Sequence, residues 1–347
     1  MSVAAQTNFT NTNLREFAFT TNVILRDNID HVFSHSPALA IFADKTLGDF
    51  GGVRLRGAGH ATQSGGIDVS HRVRLGAHSG AKRGASGFDT HNVAPDDNTR
   101  LARANWRWYT HGLAISEHDL RVNRGDAAMA SFLEDQTMSV MLALADMIAD
   151  DIHATTAAAN AMTPIDDLIS ANDTIQLLAG GTYANYNSRG LSARGTAAGS
   201  ISFASGSFAA QGLADMRTLV NNASEGMIQP EVLITDYPTH ERYEGALQPQ
   251  ERFAGAVSVA DGSFAALAFK GKPVLADAKC SSGAMYALRV SDGNGIKFRV
   301  LEGADFTFGD WKSSSNQSVR VRPLEVTAAL TIGNRRYGNN KLTGVTD

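Results

Sequence analysis

Residues 125–164, GDAAMASFLEDQTMSVMLALADMIADDIHATTAAANAMTP, decide the reading of this chain. Met129, Leu133, Val140, Leu144, Ile148 and Ile152 recur at spacings of four and seven, which lays one apolar stripe along an α-helix. Asp135, Asp146 and Asp150 fall on the opposite side, and Pro164 marks a stop. The pattern predicts a helix over 125–160. Some 30–35 residues at about 1.5 Å each make a rod of roughly 45–50 Å, well beyond the helix average of about 11–12 residues.

The rod is also a charge boundary. From 125 to 188 there are nine acids and no Lys or Arg, whereas 50–124 carries eleven Lys/Arg against six acids. Neighbouring stretches of opposite sign attract, within one molecule or between copies. Upstream of the rod, Ile67, Val69, His71, Val73 and Leu75 alternate with Asp68, Ser70, Arg72 and Arg74, the period of a strand. Ala102, Ala104, Trp106 and Trp108 alternate with Arg103, Asn105, Arg107 and Tyr109 on the return. A Gly-rich polar tip between them completes a long hairpin over 51–120. An isolated two-stranded hairpin is marginal in water, so this one requires a surface. Tryptophan with arginine is the composition of interface anchors, although the tryptophans could equally pack on the chain's own core.

Downstream, 161–207 reads as irregular connection with one or two short strands. Residues 208–310 read as a compact α/β region. It has a helix over 208–220, a buried strand over 231–235, a helix capped by Asp236 with an early Pro238, and a turn at 269–274 feeding a strand. Further strands follow at 284–290 and 297–301. The basic segment 311–347 adds strands at Val319, Val321 and 324–332.

Composition bounds the rest. The chain has 347 residues, 43% hydrophobic and 19% charged, with net charge −4, which suits two or three globular domains and makes no general case for nucleic-acid binding. Arg outnumbers Lys 23 to 8, from genomic composition or from rigid inter-chain ion pairs. One cysteine, Cys280, excludes an internal disulfide framework and suits a reducing compartment. No apolar run spans a membrane and the N-terminus lacks a signal-peptide layout, so a cytoplasmic protein is expected. There is no G-x-S-x-G, G-x-x-x-x-G-K-[ST], H-E-x-x-H or C-x-x-C motif, so no catalytic, cofactor or metal site is expected. GAGHAT at 57–62 lacks the third glycine of a dinucleotide loop. His31 and His35 form an i,i+4 pair with no third ligand at a familiar spacing. Cys280 has no base or orienting residue placed by the sequence.

Taken in order, GFDTHNVAPDDNTRLARANWRWYTHGLAIS (87–116), NRGDAAMASFLEDQTMSVMLALADMIADDIH (123–153), PEVLITDYPTHERYEGAL (230–247), FKGKPVLADAKCSSGAMYAL (269–288) and FTFGDWKSSSNQSVRVRPLEVTAALTIGNRRYGNNKLTGV (306–345) resemble a tailed-bacteriophage major capsid protein of the Hong Kong 97-type fold. The resemblance implies an α+β chain with an N-terminal arm (1–50), an extended hairpin loop (51–124) and a peripheral domain with a spine helix (125–207). An axial α/β domain (208–310) and a return to the peripheral domain with the C-terminal tail (311–347) follow. It implies a non-enzymatic protein whose copies form pentamers and hexamers, closing into an icosahedral head shell around double-stranded DNA. Assembly would take place in a bacterial cytoplasm. The short arm leaves no room for a built-in scaffold, which implies a separate scaffolding protein or none; portal and possible decoration proteins would be further partners. The resemblance lays the hairpin on the spine of a neighbouring copy. Arg72, Arg74, Arg83, Arg103, Trp106, Arg107 and Trp108 would then meet Asp135, Asp146 and Asp150. Some relatives crosslink a loop Lys to an Asn on a neighbour; Lys82 with Asn339 or Asn340 is the corresponding possibility. Two other readings stay open: an encapsulin-like compartment shell, and an α/β enzyme with Cys280 or His240 at its site.

Overall fold

A computed structural model of the chain describes residues 36–42, 58–77, 83, 87, 90, 97–118, 126–170, 173–186, 201–203, 208–247, 267–313 and 317–345, with the backbone alone at 126–135, 184, 201, 202 and 209. In chain order the elements are α1 (Pro37–Phe42), β1 (His60–Gln63), β2 (Asp68–Arg74), β3 (Thr99–Asn105) and β4 (Arg107–Ser116). Next come α2 (Asp126–His153), α3 (Ile165–Leu168), β5 (Thr174–Ile175), β6 (Leu178–Ala179) and β7 (Ile201–Ser202). The third group is α4 (Leu213–Ala223), β8 (Val232–Thr235), α5 (Tyr237–Leu247), β9 (Ala268–Phe269), β10 (Lys272–Ala276) and β11 (Met285–Leu288). The last is β12 (Ile296–Leu301), β13 (Thr307–Phe308), β14 (Lys312–Ser313), β15 (Val319–Ile332) and β16 (Asn340–Thr343). The chain forms two compact units. One holds Trp108–Met147 and Gly303–Val326, the other His35–Arg107, Ile148–Glu302 and Thr327–Asp347.

The helix α2 spans 28 residues, about 42 Å at 1.5 Å per residue. Among its described side chains, Val140, Leu144, Ile148 and Ile152 are buried, so the apolar stripe faces inward there as its spacing requires. The helix stops at His153, seven residues before the expected end. The hydroxyl of Ser281 donates to the carbonyl of His153 at 3.3 Å, satisfying one of the carbonyls that a helix end leaves open.

In the first unit, β13 and β14 pair antiparallel with the start of β15 (Phe308 opposite Leu324, Lys312 opposite Val321), and β4 pairs the same strand. Tyr109, Leu113 and Ile115 of β4 are buried, while Trp108 is 64% exposed. The single alternation expected through 102–109 therefore breaks. β3 pairs β2, β4 pairs β15, and the change of partner at Trp106 shifts which residues face inward.

The second unit has two sheets. In one, β12 pairs parallel with β1 and antiparallel with the end of β15. Ile296, Phe298 and Val300 of β12 are fully buried on one side, with Lys297 and Arg299 on the other. The other sheet runs β7-β16-β11-β8-β10-β9. Its central strands β8 and β11 are buried at every position, because α4 and α5 pack on it through Met216, Leu219, Val220, Tyr243 and Ala246. Sheet membership crosses chain order here. Strand 296–301 joins β1 and β15, while strand 340–343, far along the chain, joins β11.

The C-terminal strand region is seated by one glycine. The amide of Val345 donates to the carbonyl of Gly283 at 2.9 Å. Gly283 has φ +68, and a Cβ there would lie 2.8 Å from the carbonyl oxygen of Val345. Left-handed backbone costs an L-residue about 1–2 kcal/mol, and the clash adds to it. Gly283→Ala is expected to lower unfolding free energy by about 2–3 kcal/mol, read as a shift of the urea midpoint.

Candidate subunit interface

The ribbon of β2 and β3 has an inner and an outer face set by its register. Val69, His71 and Val73 lie opposite Ala104, Ala102 and Arg100; Asp68, Ser70, Arg72 and Arg74 lie opposite Asn105, Arg103, Leu101 and Thr99. Val69 and Ala102 are buried, and Arg72 and Arg74 are exposed, as their alternation implies. Burial, and then the nearby Arg299 guanidinium, lower the pKa of His71, favouring its neutral form on the inner face. Ile67, expected as the first inward residue, is instead fully exposed ahead of the strand.

The root of the ribbon is fastened to its own chain. The amide of Arg103 donates to the carbonyl of Gln176 at 2.9 Å. Asn185 Nδ2 donates to the carbonyl of Leu75 at 2.7 Å, and Arg100 Nε to Tyr183 Oη at 3.3 Å. Gln176 is the pivot. With its amide oriented to suit its neighbours, its nitrogen donates to the carbonyl of Ile332 and to Tyr186 Oη, both at 3.1 Å. Its oxygen accepts from the amide of Ile332 at 2.9 Å. One buried side chain thus satisfies both backbone groups of a strand residue while its own carbonyl receives the ribbon. The turn that carries it, between β5 and β6, holds Gln176 at φ 52 and Leu177 at φ 63.

The sequence-selected residues fall into separate places. Arg83 is exposed. Arg103 is 51% exposed with Nε 3.7 Å from Asp68. Trp106 is half-buried and donates from Nε1 to the carbonyl of Gly66 at 3.0 Å. Arg103 and Arg107 line a cleft of about 170 Å³ with Gln176 and Leu177. Asp135 lies on α2, with only its backbone described. Asp146 is half-buried. Asp150 is exposed and already pairs with Lys279 of its own chain at 2.8 Å. Lys82, His31 and His35 lie outside the described residues. Asn339 and Asn340 are fully buried; Asn339 Oδ1 accepts from the amide of Arg289 at 2.9 Å and Asn340 Nδ2 donates to the carbonyl of Leu219 at 3.5 Å.

A buried polar knot lies deeper in the second unit. Asp277, fully buried, accepts from the hydroxyl of Ser36, from the amide of Ala38 at 3.1 Å and from the amide of Lys279 at 2.9 Å. His153 Nε2 lies 3.2 Å from the same carboxylate. Burial alone would raise the Asp277 pKa. The hydrogen bond and charge of His153, then the Ser36 hydroxyl, more than reverse this and hold it at about 2. Serine, histidine and aspartate are together, but Ser36 donates to the aspartate rather than to the histidine, so no base faces the hydroxyl. The knot ties the start of α1 to the end of α2. Nearby, Asp166 accepts from Tyr286 Oη and Lys341 Nζ, each at 2.9 Å. Burial, then the charges of Asp236, Asp277 and Asp166, push the Cys280 thiol well above its usual range, so it stays protonated at neutral pH. His240 faces Glu244 at 3.4 Å. Among the described residues no group of three or more His, Cys, Asp or Glu is arranged to hold a metal, and no helix is long and apolar enough to cross a membrane.

Gln176, Leu177, Tyr183 and Asn185 escape sequence reasoning because the turn at 176–177 lacks the Asn-Gly signature of such turns. The Ser36–Asp277–His153 knot joins residues more than a hundred positions apart, with no spacing to read.

The arrangement of a long helix, a sheet covered by two helices and a strand ribbon set beside a second sheet is the Hong Kong 97-type capsid fold. Solved structures share it end to end. The cyanophage A-1(L) capsid asymmetric unit matches with TM-score 0.60 and 14% identity, over 98% of this chain and 100% of that one. The capsid of a native GTA particle matches with TM-score 0.55 and 11% identity, over 97% and 100%. A structure of Mycobacterium phage Adephagia matches with TM-score 0.52 and 13% identity, over 95% and 98%. No family model matches the sequence, and no curated protein does so either.

Two outcomes check the geometry. Gln176→Ala leaves the backbone of Ile332 without its partners, which costs about 1–3 kcal/mol, and the Arg103 amide is expected to exchange with deuterium at least about tenfold faster. For Asp277, a folded pKa below the ordinary 3.8 means stability that is present above about pH 4 and lost as pH falls toward 2. Asp277→Asn is expected to cost about 3 kcal/mol at neutral pH. In urea titrations its deficit should shrink between about pH 4 and pH 2.

Proposed function

We propose that this chain is a structural major capsid protein: its copies assemble into pentamers and hexamers that close as an icosahedral head shell around double-stranded DNA. The observation that carries this reading is the likeness to capsid subunits across both whole chains, 98% of this one and 100% of the cyanophage subunit. A partial match would support only a shared domain; an end-to-end match at TM-score 0.60 supports a shared plan of assembly. DNA is held without sequence preference, since a net charge of −4 makes no general case for specific nucleic-acid readout. A separate scaffolding protein, a portal and possible decoration proteins complete the particle, which is built in the bacterial cytoplasm.

The outer face of the ribbon supplies a contact between copies. Arg72, Arg74 and Arg103 project there with Asp68 as the one acid, and Leu101 adds 41% exposed apolar surface. Each exposed ion pair contributes only about 0–1 kcal/mol. Cohesion therefore comes from repetition of the contact around the shell. Because the ribbon root is held by its own chain, this face is presented ready-made rather than ordered on contact, which reduces the entropic cost of docking. Basic ribbon and acidic helix are different surfaces, so the contact is head-to-tail and closes rings.

Arg72→Glu with Arg74→Glu is expected to give a folded, soluble subunit that assembles poorly, because inner-face packing is untouched while the outer charge is reversed. Sedimentation and negative-stain microscopy of the expressed protein report it. Abundant normal particles from this double variant would contradict the role given to the ribbon.

A further inference from the structure

We propose that His71 is a proton-operated latch for the ribbon: uptake of a proton by its imidazole loosens β2 and β3 from the body of their own subunit. The latch works within one chain and does not depend on the shell.

Register places the ring where a proton matters. His71 lies opposite Ala102 in the middle of the ribbon, between Val69 and Val73 on the inner face. Both of its ring nitrogens are closed off from solvent and have no hydrogen-bond partner. The backbone of Ile332 lies near enough to favour the proton in the smallest measure, but its carbonyl already accepts from Gln176 at 3.1 Å. A neutral imidazole can be held in such a place. A buried charge without a partner costs far more.

The charges set against the ring oppose a second cation. On β12, Lys297 and Arg299 share one side of the strand, and Arg299 is the one whose charge acts on His71. Arg299 Nε donates to the hydroxyl of Thr331 at 3.2 Å. Burial alone shifts the Arg299 pKa, and downward, so no carboxylate offsets its charge. On the ribbon itself, Arg100 shares the inner face and pairs with Asp97 at 2.5 Å. The end of β15 brings Thr331 and Ile332, which do not titrate. The β5–β6 turn brings Gln176, and beside it Tyr186, whose hydroxyl is pushed up to about 12 by burial and stays neutral.

The direction follows. Burial and then Arg299 lower the His71 pKa from 6.5, so a released ribbon binds the proton more readily than a fastened one. Fastening is at full strength above about pH 6.5 and weakens as pH falls below it. The Asp277 knot holds down to about pH 4, so the ribbon gives way first. In mildly acidic solution the outer arginines then sit on a loose ribbon.

The test follows hydrogen exchange of the full chain at about pH 7.5 and about pH 5, with rates corrected for intrinsic exchange. At the lower pH the amide of Arg103 and those bonded between β2 and β3 should lose protection about tenfold or more, while β8 and β11 keep theirs. His71→Leu removes the titrating ring from a site that gives it no hydrogen bond, and should leave ribbon protection the same at both pH values. Arg299→Met should raise the pKa of the His71 ring, read from the imidazole resonance that His71→Leu abolishes, and shrink the loss. If His71→Leu does not fold, His71→Gln serves in its place. Ribbon protection unchanged at the lower pH, an equal loss without the histidine, or a loss shared by β8 and β11 would overturn the latch. A His71 ring that titrates at or above 6.5, or that Arg299→Met leaves unmoved, overturns it as well.

Discussion

A ribbon of seven residues per strand cannot hold itself in water, and everything exposed on this one depends on how its root is fastened. Gln176 provides the fastening. Its amide occupies the backbone of Ile332 at the end of β15, and its carbonyl takes the amide of Arg103. A buried backbone group left without a partner costs about as much as a lost hydrogen bond, so the same bonds that satisfy the sheet also fix the ribbon's direction. The outer arginines are then displayed from a rigid base, and the inner face, with Val69 and Ala102, is closed to solvent.

The polar knot around Asp277 plays a comparable role elsewhere in the second unit. A carboxylate buried alone would be expensive. Here it receives the Ser36 hydroxyl, two backbone amides and His153, so it remains charged and holds α1 to the end of α2. The residue types match those of a hydrolase site, but the donor geometry does not, and the neighbouring thiol is held protonated. In this region charge serves cohesion between distant segments.

The ribbon and the helix α2 carry opposite charge. On the ribbon, positive groups outnumber negative ones on the face that its own subunit leaves open. On the helix, at least one acid is already engaged internally, as Asp150 is with Lys279.

Periodicity made much of this fold legible from the sequence. The spacing of Val140, Leu144, Ile148 and Ile152 gave away the long helix, and unbroken apolar runs gave away the buried strands around Val232–Thr235 and Met285–Leu288. The alternation from Val69 to Arg74 told which arginines face water. These are local facts, since a side chain's direction follows from the geometry of its own element. What tertiary structure decided is everything that depends on a partner far along the chain. Strand 296–301 joined β1 rather than β8, the alternation broke at Trp106 because the pairing partner changed there, and α2 ended at a hydroxyl contributed by Ser281. Asn339 and Asn340 were sealed inside, and a glutamine with no motif around it became the pivot of the ribbon. Hydrogen bonds between distant residues leave no period in the sequence, because their geometry exists only once the chain has closed on itself.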